Sequence, residues 1–324
     1  MSVRNFLRRQ MNRLIEFSPR VAKTGAEPFE AAGAVAEPAA GNRPEVAEDT
    51  ASPVGKVLAR PDRHREAIPL LEPSAHVAEV ELHYNQHSEN YQAAYGTVLQ
   101  AVRSADVEDL LRHEMNTMRL ADGMRLLDAG CGFCGPSIWF AGQRDIRVTG
   151  VTLAENLVRE AKAAVDRAGM SDRITVLEGD YHYLPSLVSE HSYDRVMFME
   201  TIGYAHTLPM VLEGVHRVLK PGGYLYIKDY FRATFEPGSE SQKRVDAVLA
   251  KVYEEYRWVT FSREELVRAI EEAGFVVEHA EVMPFGWDAA TVLDFDARAG
   301  FIWTQLVADG FSFGLAGEVM ARRP

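Results

Sequence analysis

The chain has 324 residues, 47% of them hydrophobic, and can therefore bury the core of one large α/β domain with residues left over. Its formal net charge of −12 argues against a nucleic-acid enzyme, which normally shows a broad basic face. The sequence has no apolar run of about eighteen residues that would predict a membrane-spanning helix, and its basic start lacks the apolar core of a secretory signal.

Two segments precede the first predicted globular element. Residues 1–20 place several arginines among apolar residues at helical spacing, which predicts a basic amphipathic helix. This helix could dock on its own domain, on a second subunit or on an anionic membrane surface, and an arginine-rich start also resembles a transit peptide. Residues 21–75 are rich in Ala, Glu, Pro and Gly and poor in large apolar residues, which predicts a flexible linker.

Aromatic residues cluster ahead of the first predicted strand. Tyr84 and Tyr91 lie in this stretch, and residues 107–120 have the pattern of a helix that leads into the strand. Tyr84 and Tyr91 either pack against the core or form part of a substrate site, and the sequence leaves both interpretations open.

A glycine-rich turn follows the first predicted strand. Residues 126–135 read LLDAGCGFCG, which predicts an apolar strand, a tight turn and the start of a helix. Gly130 and Gly132 allow backbone angles that other residues avoid, and they leave room for a ligand that the free N–H groups of the helix would face. Both cysteines of the chain, Cys131 and Cys134, lie in this turn, and a single pair offers only two metal ligands. The turn therefore predicts a nucleotide site without choosing the nucleotide.

The spacing D-A-G-C-G-x-x-G resembles motif I of the class I methyltransferases that depend on S-adenosylmethionine (SAM). This resemblance implies an α/β, Rossmann-like fold, with a seven-stranded, mostly parallel sheet, helices on both faces and an N-terminal helical lid. It also implies SAM as the cofactor. By resemblance, Gly130, Cys131 and Gly132 would pack against the amino-acid end of SAM, with Asp128 beneath them. An ordinary strand–turn–helix junction is the alternative.

The resemblance runs from about residue 81 to the end of the chain. The aromatic stretch is similar to the substrate lid of small-molecule methyltransferases, including those that act on sterols and prenyl diphosphates. The predicted methyltransferase domain is then residues 76–324, with the lid at 76–120 and an aromatic-rich insertion at 229–260.

The second and third predicted strands supply further cofactor contacts by resemblance. The second predicted strand, residues 148–153, ends at Thr152 and Leu153. Many class I enzymes have an acidic residue at this place that binds the ribose hydroxyls. This sequence is similar to that of the methyltransferase branches that act on prenyl diphosphates or form cyclopropanes. The resemblance assigns Thr152 and Leu153 to the cofactor site. Asp180, at the end of the third strand, would accept from the adenine amino group with Tyr181 beside the ring. A helix N-cap is the other interpretation of Asp180.

The fourth predicted strand, Tyr193–Met199, ends at Glu200, with Tyr204 and His206 close behind. Open α/β sheets place their chemistry at the carboxyl ends of the strands, so we expect Glu200 at the mouth of the site. Together these three residues are most similar to the pattern of geranyl diphosphate methyltransferases. We therefore expect Glu200, Tyr204 and His206 to be catalytic.

The C-terminal third adds structural signals and further aromatic residues. The LKPGG sequence at residues 219–223 is typical of the turn before the fifth strand, Ser262 with Glu265 predicts a helix cap, and Val276–Val282 is the sixth predicted strand. The aromatic candidates for the substrate site, each with core packing as the alternative, are Tyr84, Tyr91, Tyr256, Phe285 and Trp287; Arg257 is a further candidate, with a solvated surface charge as its alternative.

These residues predict methyl transfer to an alkene carbon of a prenyl diphosphate of the geranyl, farnesyl or isopentenyl type. Methylation of an alkene leaves a carbocation, which needs aromatic faces, exclusion of water and one base, here Glu200. A diphosphate also needs cations, and Mg²⁺ is a suitable companion for it, although the spacing identifies no metal ligands. The available side chains are Lys228, Arg232, Arg257 and Arg298.

Two other functions stay open at this point. One is an N- or O-methyltransferase of a small metabolite, in which Glu200 or His206 would deprotonate or orient the acceptor. The other is a non-catalytic binding module with the same fold. We expect a cytoplasmic homo-oligomer whose substrate is a small isoprenoid molecule.

Overall fold

The computed structural model describes residues 71–104, 106–286, 288–302, 311 and 313–324. The predicted N-terminal helix at 1–20 and nearly all of the predicted linker at 21–75 lie outside the described residues. So does Trp287, one of the candidates for the substrate site.

A seven-stranded sheet forms the centre of the described structure, in the order β3-β2-β1-β4-β5-β7-β6. The strands from β3 to β5 are parallel to their neighbours, and β7 runs antiparallel to both β5 and β6. This confirms the predicted Rossmann-like fold with a mostly parallel sheet. The strands are β1 Arg125–Ala129, β2 Arg147–Thr152, β3 Ile174–Glu178, β4 Tyr193–Met199, β5 Leu219–Arg232, β6 Val276–Val282 and β7 Gly314–Arg322.

Helices cover both faces of the sheet. Two short 3₁₀ turns, Tyr181–Tyr183 and Ile202–Tyr204, follow β3 and β4 at their carboxyl ends. The α-helices are α1 Pro73–Tyr95, α2 Val107–Thr117, α3 Gly135–Gln143, α4 Glu155–Arg167, α5 Leu184–Leu187, α6 Leu208–Val218, α7 Glu240–Tyr256, α8 Arg263–Glu272 and α9 Ala289–Ala299.

Alternation along the strands divides the core into two layers. On β1, Leu126 packs into one hydrophobic cluster and Leu127 into the other, because successive strand residues point to opposite faces. On β4, Phe198 and Met197 divide in the same way. Both faces are buried, which explains why β4 reads as an almost continuous apolar run.

The chain winds outward from β1 in two directions, toward β3 on one side and toward β5 on the other. The carboxyl ends of β1 and β4 therefore border the crevice where open α/β sheets bind their ligands. Helix α1 is fixed beside this crevice, because the Asn156 amide N–H donates to Asn85 Oδ1 at 3.1 Å and the Asn156 side chain donates to the Asn85 carbonyl at 2.9 Å.

Several elements differ from their predicted limits. The LKPGG sequence lies inside β5, which the structure begins at Leu219, and Gly222 adopts a positive φ of 77° there. Strand β5 also extends to Arg232, because β7 pairs with it along that length, so the predicted insertion at 229–260 begins inside the sheet and consists mainly of α7. The capping box at Ser262 occurs as predicted, whereas helix α9 was not predicted.

Candidate active site

A cavity of about 880 Å³ opens at the carboxyl ends of β1 to β4; we call it the cofactor cavity. All eight residues that the sequence assigned to the cofactor line it. They are Asp128, Gly130, Cys131, Gly132, Thr152, Leu153, Asp180 and Tyr181. The sequence analysis missed His76 and Val80, which helix α1 brings to the same wall.

The glycine turn is packed too tightly for larger residues. Gly130 has a φ of +95°, and a Cβ atom added to it would lie 2.7 Å from the side chain of Thr201. Gly132 has a φ of +51°, and its added Cβ would lie 2.9 Å from Leu99. The turn therefore needs glycine for its backbone angles and for its close neighbours.

Asp128 places a buried carboxyl group beside this turn. Burial raises the pKa of Asp128 to about 7, although a 2.6 Å hydrogen bond from Ser137 Oγ acts in the opposite direction. Loss of water disfavours the charged form of a buried acid. A ligand that brought a positive charge here would favour the ionised carboxylate.

Asp180 and His182 form an ordered pair at the other end of the cavity. Asp180 Oδ1 accepts from the backbone N–H of His182 at 2.9 Å and lies 2.5 Å from His182 Nδ1. Burial works to raise the pKa of Asp180, but these hydrogen bonds outweigh it and leave the pKa lowered. Asp180 therefore caps the turn at Tyr181–Tyr183 and also lines the cavity, and its contact with the adenine stays a prediction.

His206 stacks against His182 rather than facing either cavity. The two ring centroids are 3.7 Å apart with the planes 10° from parallel, and the His206 N–H donates to His182 Nε2 at 3.1 Å. Asp180, His182 and His206 bring potential metal-ligating atoms within 4.8 Å of one another. Parallel stacked rings cannot aim their nitrogens at one ion, and both His182 nitrogens already have hydrogen-bond partners, so the arrangement is poorly suited to a metal.

A second cavity of about 690 Å³ adjoins the first and is lined mainly by aromatic residues; we call it the acceptor cavity. Six tyrosines and one tryptophan line it: Tyr84, Tyr91, Tyr95, Tyr204, Tyr230, Tyr256 and Trp258. Among its described lining residues, Glu200 is the one charged group, and none is Lys or Arg. Tyr95, Tyr230 and Trp258 were not predicted for the site; Tyr230 enters through the additional length of β5.

Four residues line both cavities and therefore form their boundary: Tyr84, Leu99, Glu200 and Tyr204. The hydroxyl of Tyr84 donates to that of Tyr204 at 2.8 Å. Burial raises the pKa of Tyr84 to about 12 and that of Tyr204 well above its usual value, so both phenols are neutral at physiological pH.

The Glu200 carboxylate accepts four hydrogen bonds. Oε2 accepts from the Ala101 N–H at 2.8 Å and from the Tyr230 hydroxyl at 3.3 Å, while Oε1 accepts from the Val102 N–H at 3.0 Å and from Lys228 Nζ. Lys228 is completely buried and also donates to the Gln100 side chain at 2.6 Å and the Val102 carbonyl at 2.8 Å. Glu200 thus fixes the segment 100–102 to the sheet, and its role as a base stays a prediction.

Two of the predicted substrate residues lie away from both cavities. Phe285 packs against the hydrophobic cluster that contains Met283 and Leu110, and it meets the His113 ring edge-on, with the centroids 5.5 Å apart. Arg257 ends helix α7, where it donates to the Tyr253 carbonyl at 3.2 Å and lies 3.5 Å from Glu79.

The remaining candidate cations are paired with acids elsewhere. Arg232 is 2.7 Å from Glu265, and Arg298 is 2.8 Å from Asp294. With Lys228 bound to Glu200, the described residues present no lysine or arginine to either cavity.

Residues 83–294 match the family model of mycolic acid cyclopropane synthetase. The chain belongs to this family of SAM-dependent methyltransferases. This confirms the class that motif I indicated, and SAM is the cofactor. Within the described residues, no helix combines the length and the apolar character needed to cross a membrane.

Relatives of this methyltransferase carry several different activities. The sterol 24-C-methyltransferase of Gibberella zeae is 26% identical over 209 residues, which cover 61% of this chain and 53% of that protein. A SAM-dependent Diels-Alderase of Talaromyces variabilis is 31% identical over 131 residues, 40% of this chain and 43% of that protein. The chain thus spans about half the length of these relatives.

The fold is that of solved methyltransferases. Geranyl diphosphate C-methyltransferase from Streptomyces coelicolor A3(2) superposes with a TM-score of 0.62 at 15% identity, over 78% of this chain and 100% of that one. The residues of the cofactor cavity fit SAM chemically, because Asp128 offers a buried acid for its ammonium group, and Asp180 with Tyr181 offers an acceptor and a ring for its adenine.

Proposed function

We propose that this methyltransferase transfers the methyl group of SAM to an alkene carbon of an apolar, isoprenoid-type acceptor. The observation that carries the proposal is the acceptor cavity, an aromatic chamber that shares Tyr84, Glu200 and Tyr204 with the cofactor cavity. A methyl group bound on one side of this boundary and an alkene on the other would be neighbours.

SAM, when bound, supplies an electrophilic methyl group on a sulfonium. As the alkene attacks it, a C–C bond forms, and the adjacent carbon becomes a carbocation that must lose a proton to restore an alkene. Tyrosine and tryptophan faces stabilise positive charge. The same side chains exclude water that would otherwise add to the cation.

The lining favours an acceptor that is uncharged where it enters the cavity. A diphosphate needs cationic partners, and the described walls supply none, although Trp287 and residues 303–310 lie outside the description. The prenyl diphosphate prediction, with its Mg²⁺, therefore requires the headgroup to lie outside the chamber. The relative named as a sterol C-methyltransferase supports an uncharged isoprenoid instead.

The test is incubation of the full chain with SAM labelled at its methyl group and a panel of acceptors, with products identified by mass spectrometry. The panel contains a sterol with a side-chain alkene, geraniol, farnesol, and geranyl, farnesyl and isopentenyl diphosphates with and without Mg²⁺. We expect labelled carbon in the uncharged isoprenoids. Label transferred only to the diphosphates would support the prediction of a prenyl diphosphate acceptor instead.

Two outcomes of the same panel would contradict carbon methylation. Label bonded to oxygen or nitrogen, tested with added hydroxyl and amine metabolites, would indicate an N- or O-methyltransferase. Binding of SAM in calorimetry without transfer to any acceptor would favour a non-methylating function, as the name of the Diels-Alderase relative illustrates. The predicted homo-oligomer stays a prediction, which light scattering measures directly.

A further inference from the structure

We propose that His76 is a positioning residue for methyl transfer, which holds Tyr204 in the wall between the two cavities. His76 lines the cofactor cavity but not the acceptor cavity, and it acts on the acceptor side through Tyr204. The inference rests on the proposed function only in that the acceptor occupies the acceptor cavity. It holds whichever acceptor atom receives the methyl group.

The His76 ring joins the start of helix α1 to two other parts of the fold. Its Nε2 lies 3.1 Å from the Tyr204 carbonyl oxygen, and its Nδ1 lies 3.3 Å from the Tyr253 hydroxyl. The rings of His76 and Tyr253 are also stacked, with their centroids 6.0 Å apart and the planes 19° from parallel. His76 is only 2% exposed, so water cannot readily replace a partner that is lost there.

A neutral His76 ring allows one arrangement of hydrogens in these contacts. A carbonyl oxygen can only accept, so Nε2 carries the hydrogen of the ring and donates it to Tyr204. Nδ1 then has a lone pair and accepts from the Tyr253 hydroxyl, which in turn accepts from the Leu71 N–H at 3.1 Å. Burial lowers the pKa of His76, which keeps the ring neutral at physiological pH. Every donor from Leu71 to Tyr204 therefore has an acceptor.

Helix α1 holds Tyr204 at both of its ends. Tyr84 lies eight residues after His76, a spacing that places both side chains on one face of the helix. The Tyr84 hydroxyl donates to the Tyr204 hydroxyl at 2.8 Å. His76 thus fixes the backbone of Tyr204, and Tyr84 fixes its phenol. Because the turn Ile202–Tyr204 is only three residues long, we expect its position to depend on these outside contacts.

The placement of Tyr204 affects how the two cavities meet. Its side chain lines both cavities, and its ring lies 5.6 Å from that of Tyr84 and 5.4 Å from that of Trp258, centroid to centroid. A shift of about 1 Å in a wall between two reactants changes their approach, and such a misplacement can cost about 100-fold in rate. His76 therefore acts on the geometry of the transfer and not on the strength of binding at either side.

The first measurement needs no acceptor. In ¹⁵N-histidine NMR of the full chain, we expect His76 to be neutral with its hydrogen on Nε2, and we expect Tyr253→Phe to shift its Nδ1 signal. A hydrogen found on Nδ1 would overturn the proposal, because Nε2 could then not donate to the Tyr204 carbonyl.

The second measurement is turnover on farnesol and on the sterol with a side-chain alkene, with SAM affinity measured by calorimetry. In His76→Leu we expect kcat to fall about 100-fold, while KM and SAM affinity change by less than about threefold. Tyr253→Phe, outside both cavities, should lower kcat about tenfold. Adding it to His76→Leu should cost little more, since both residues belong to one chain of hydrogen bonds.

His76→Gln separates positioning from packing. A glutamine amide can donate to the Tyr204 carbonyl and accept from the Tyr253 hydroxyl, so kcat should stay within about threefold of wild type. Tyr183→Phe is the matched control for Tyr253→Phe, because Tyr183 is exposed and lies outside both cavities. It should behave as wild type.

Three results would overturn the positioning role while methyl transfer stands. They are a wild-type kcat in Tyr253→Phe, a His76→Gln variant as slow as His76→Leu, and a loss in His76→Leu that lies in SAM affinity instead of kcat. The last would mean that His76 contacts the cofactor directly. The first two decide the question even if His76→Leu does not fold. Wild-type protein that methylates no acceptor would overturn the proposed function itself, and the positioning role with it.

Discussion

The cofactor cavity and the acceptor cavity share a wall but are built in different ways. The cofactor cavity takes most of its lining from four short segments at strand ends, 128–132, 151–154, 179–182 and 199–201. The acceptor cavity gathers single side chains from α1, β5, α7 and α9, which are far apart in sequence. The lining of the cofactor cavity is therefore encoded locally, whereas the lining of the acceptor cavity depends on how distant elements pack.

The largest expected effect comes from a substitution of Glu200, which lies in the wall that the two cavities share. In Glu200→Gln, the Lys228 ammonium loses its counter-charge, and an amide N–H must face backbone donors. We expect the free energy of unfolding, measured in urea, to fall by about 3–5 kcal/mol, with turnover lost. Glu200→Gln with Lys228→Met should recover much of that stability. A stable single variant that binds SAM but does not turn over would instead support Glu200 as the base.

Gly130→Ala should disable the cofactor cavity while the acceptor cavity stays intact. The added Cβ would lie 2.7 Å from Thr201, at a φ of +95°. We expect SAM affinity in calorimetry to fall about 100-fold or more, because the motif I turn must move. Gly222→Ala has a similar φ of +77° with no atom near its Cβ, and it should lose only stability. Equal SAM affinity in the two variants would mean that the contact with Thr201 is unimportant.

Gly203→Ala should have the opposite effect: it should disturb the acceptor cavity and leave the cofactor cavity intact. A Cβ at Gly203 would lie 1.6 Å from Trp258 Nε1, so the indole must leave its place in the acceptor cavity. We expect KM for farnesol to rise about tenfold with little change in SAM affinity, a cost typical of overpacking. Gly142→Ala, whose Cβ has an ordinary 3.5 Å neighbour, is the control. A loss of SAM affinity in Gly203→Ala would mean that the two cavities are not independent.

The last expected effect is a pH dependence confined to SAM binding. Because burial holds the pKa of Asp128 at about 7, its carboxyl becomes neutral as the pH falls through that value and no longer attracts the SAM ammonium. Calorimetry should show affinity rising several-fold from pH 6 to about pH 7.5 and falling again above about pH 8, where the α-amino group of SAM itself loses its proton. Asp128→Asn should bind SAM weakly at every pH. A pH-independent affinity in the wild type would mean that Asp128 does not meet the ammonium group.

The sequence was sufficient to predict the fold and the cofactor cavity. Strand β4 and strand β6 were predicted with their observed limits, and Ser262 was predicted as a cap. Every residue assigned to the cofactor lines the cofactor cavity. These features depend on strand alternation, glycine angles and caps, which act over a few neighbouring residues.

The acceptor cavity was predicted only in part. Tyr84, Tyr91 and Tyr256 line it, but Phe285 and Arg257 do not. An aromatic residue carries the same hydrophobic signal in a core as in a cavity wall, so composition alone cannot separate the two positions.

By itself, the sequence determined a SAM-dependent methyltransferase fold and the turn that lines the cofactor cavity, because both follow from short-range geometry and local spacing. Only the tertiary structure decided that Glu200 is bound by Lys228 and the segment 100–102, and that no described lysine or arginine lines the acceptor cavity. These arrangements bring together side chains that are distant in sequence, and such contacts exist only once the helices have packed against the sheet.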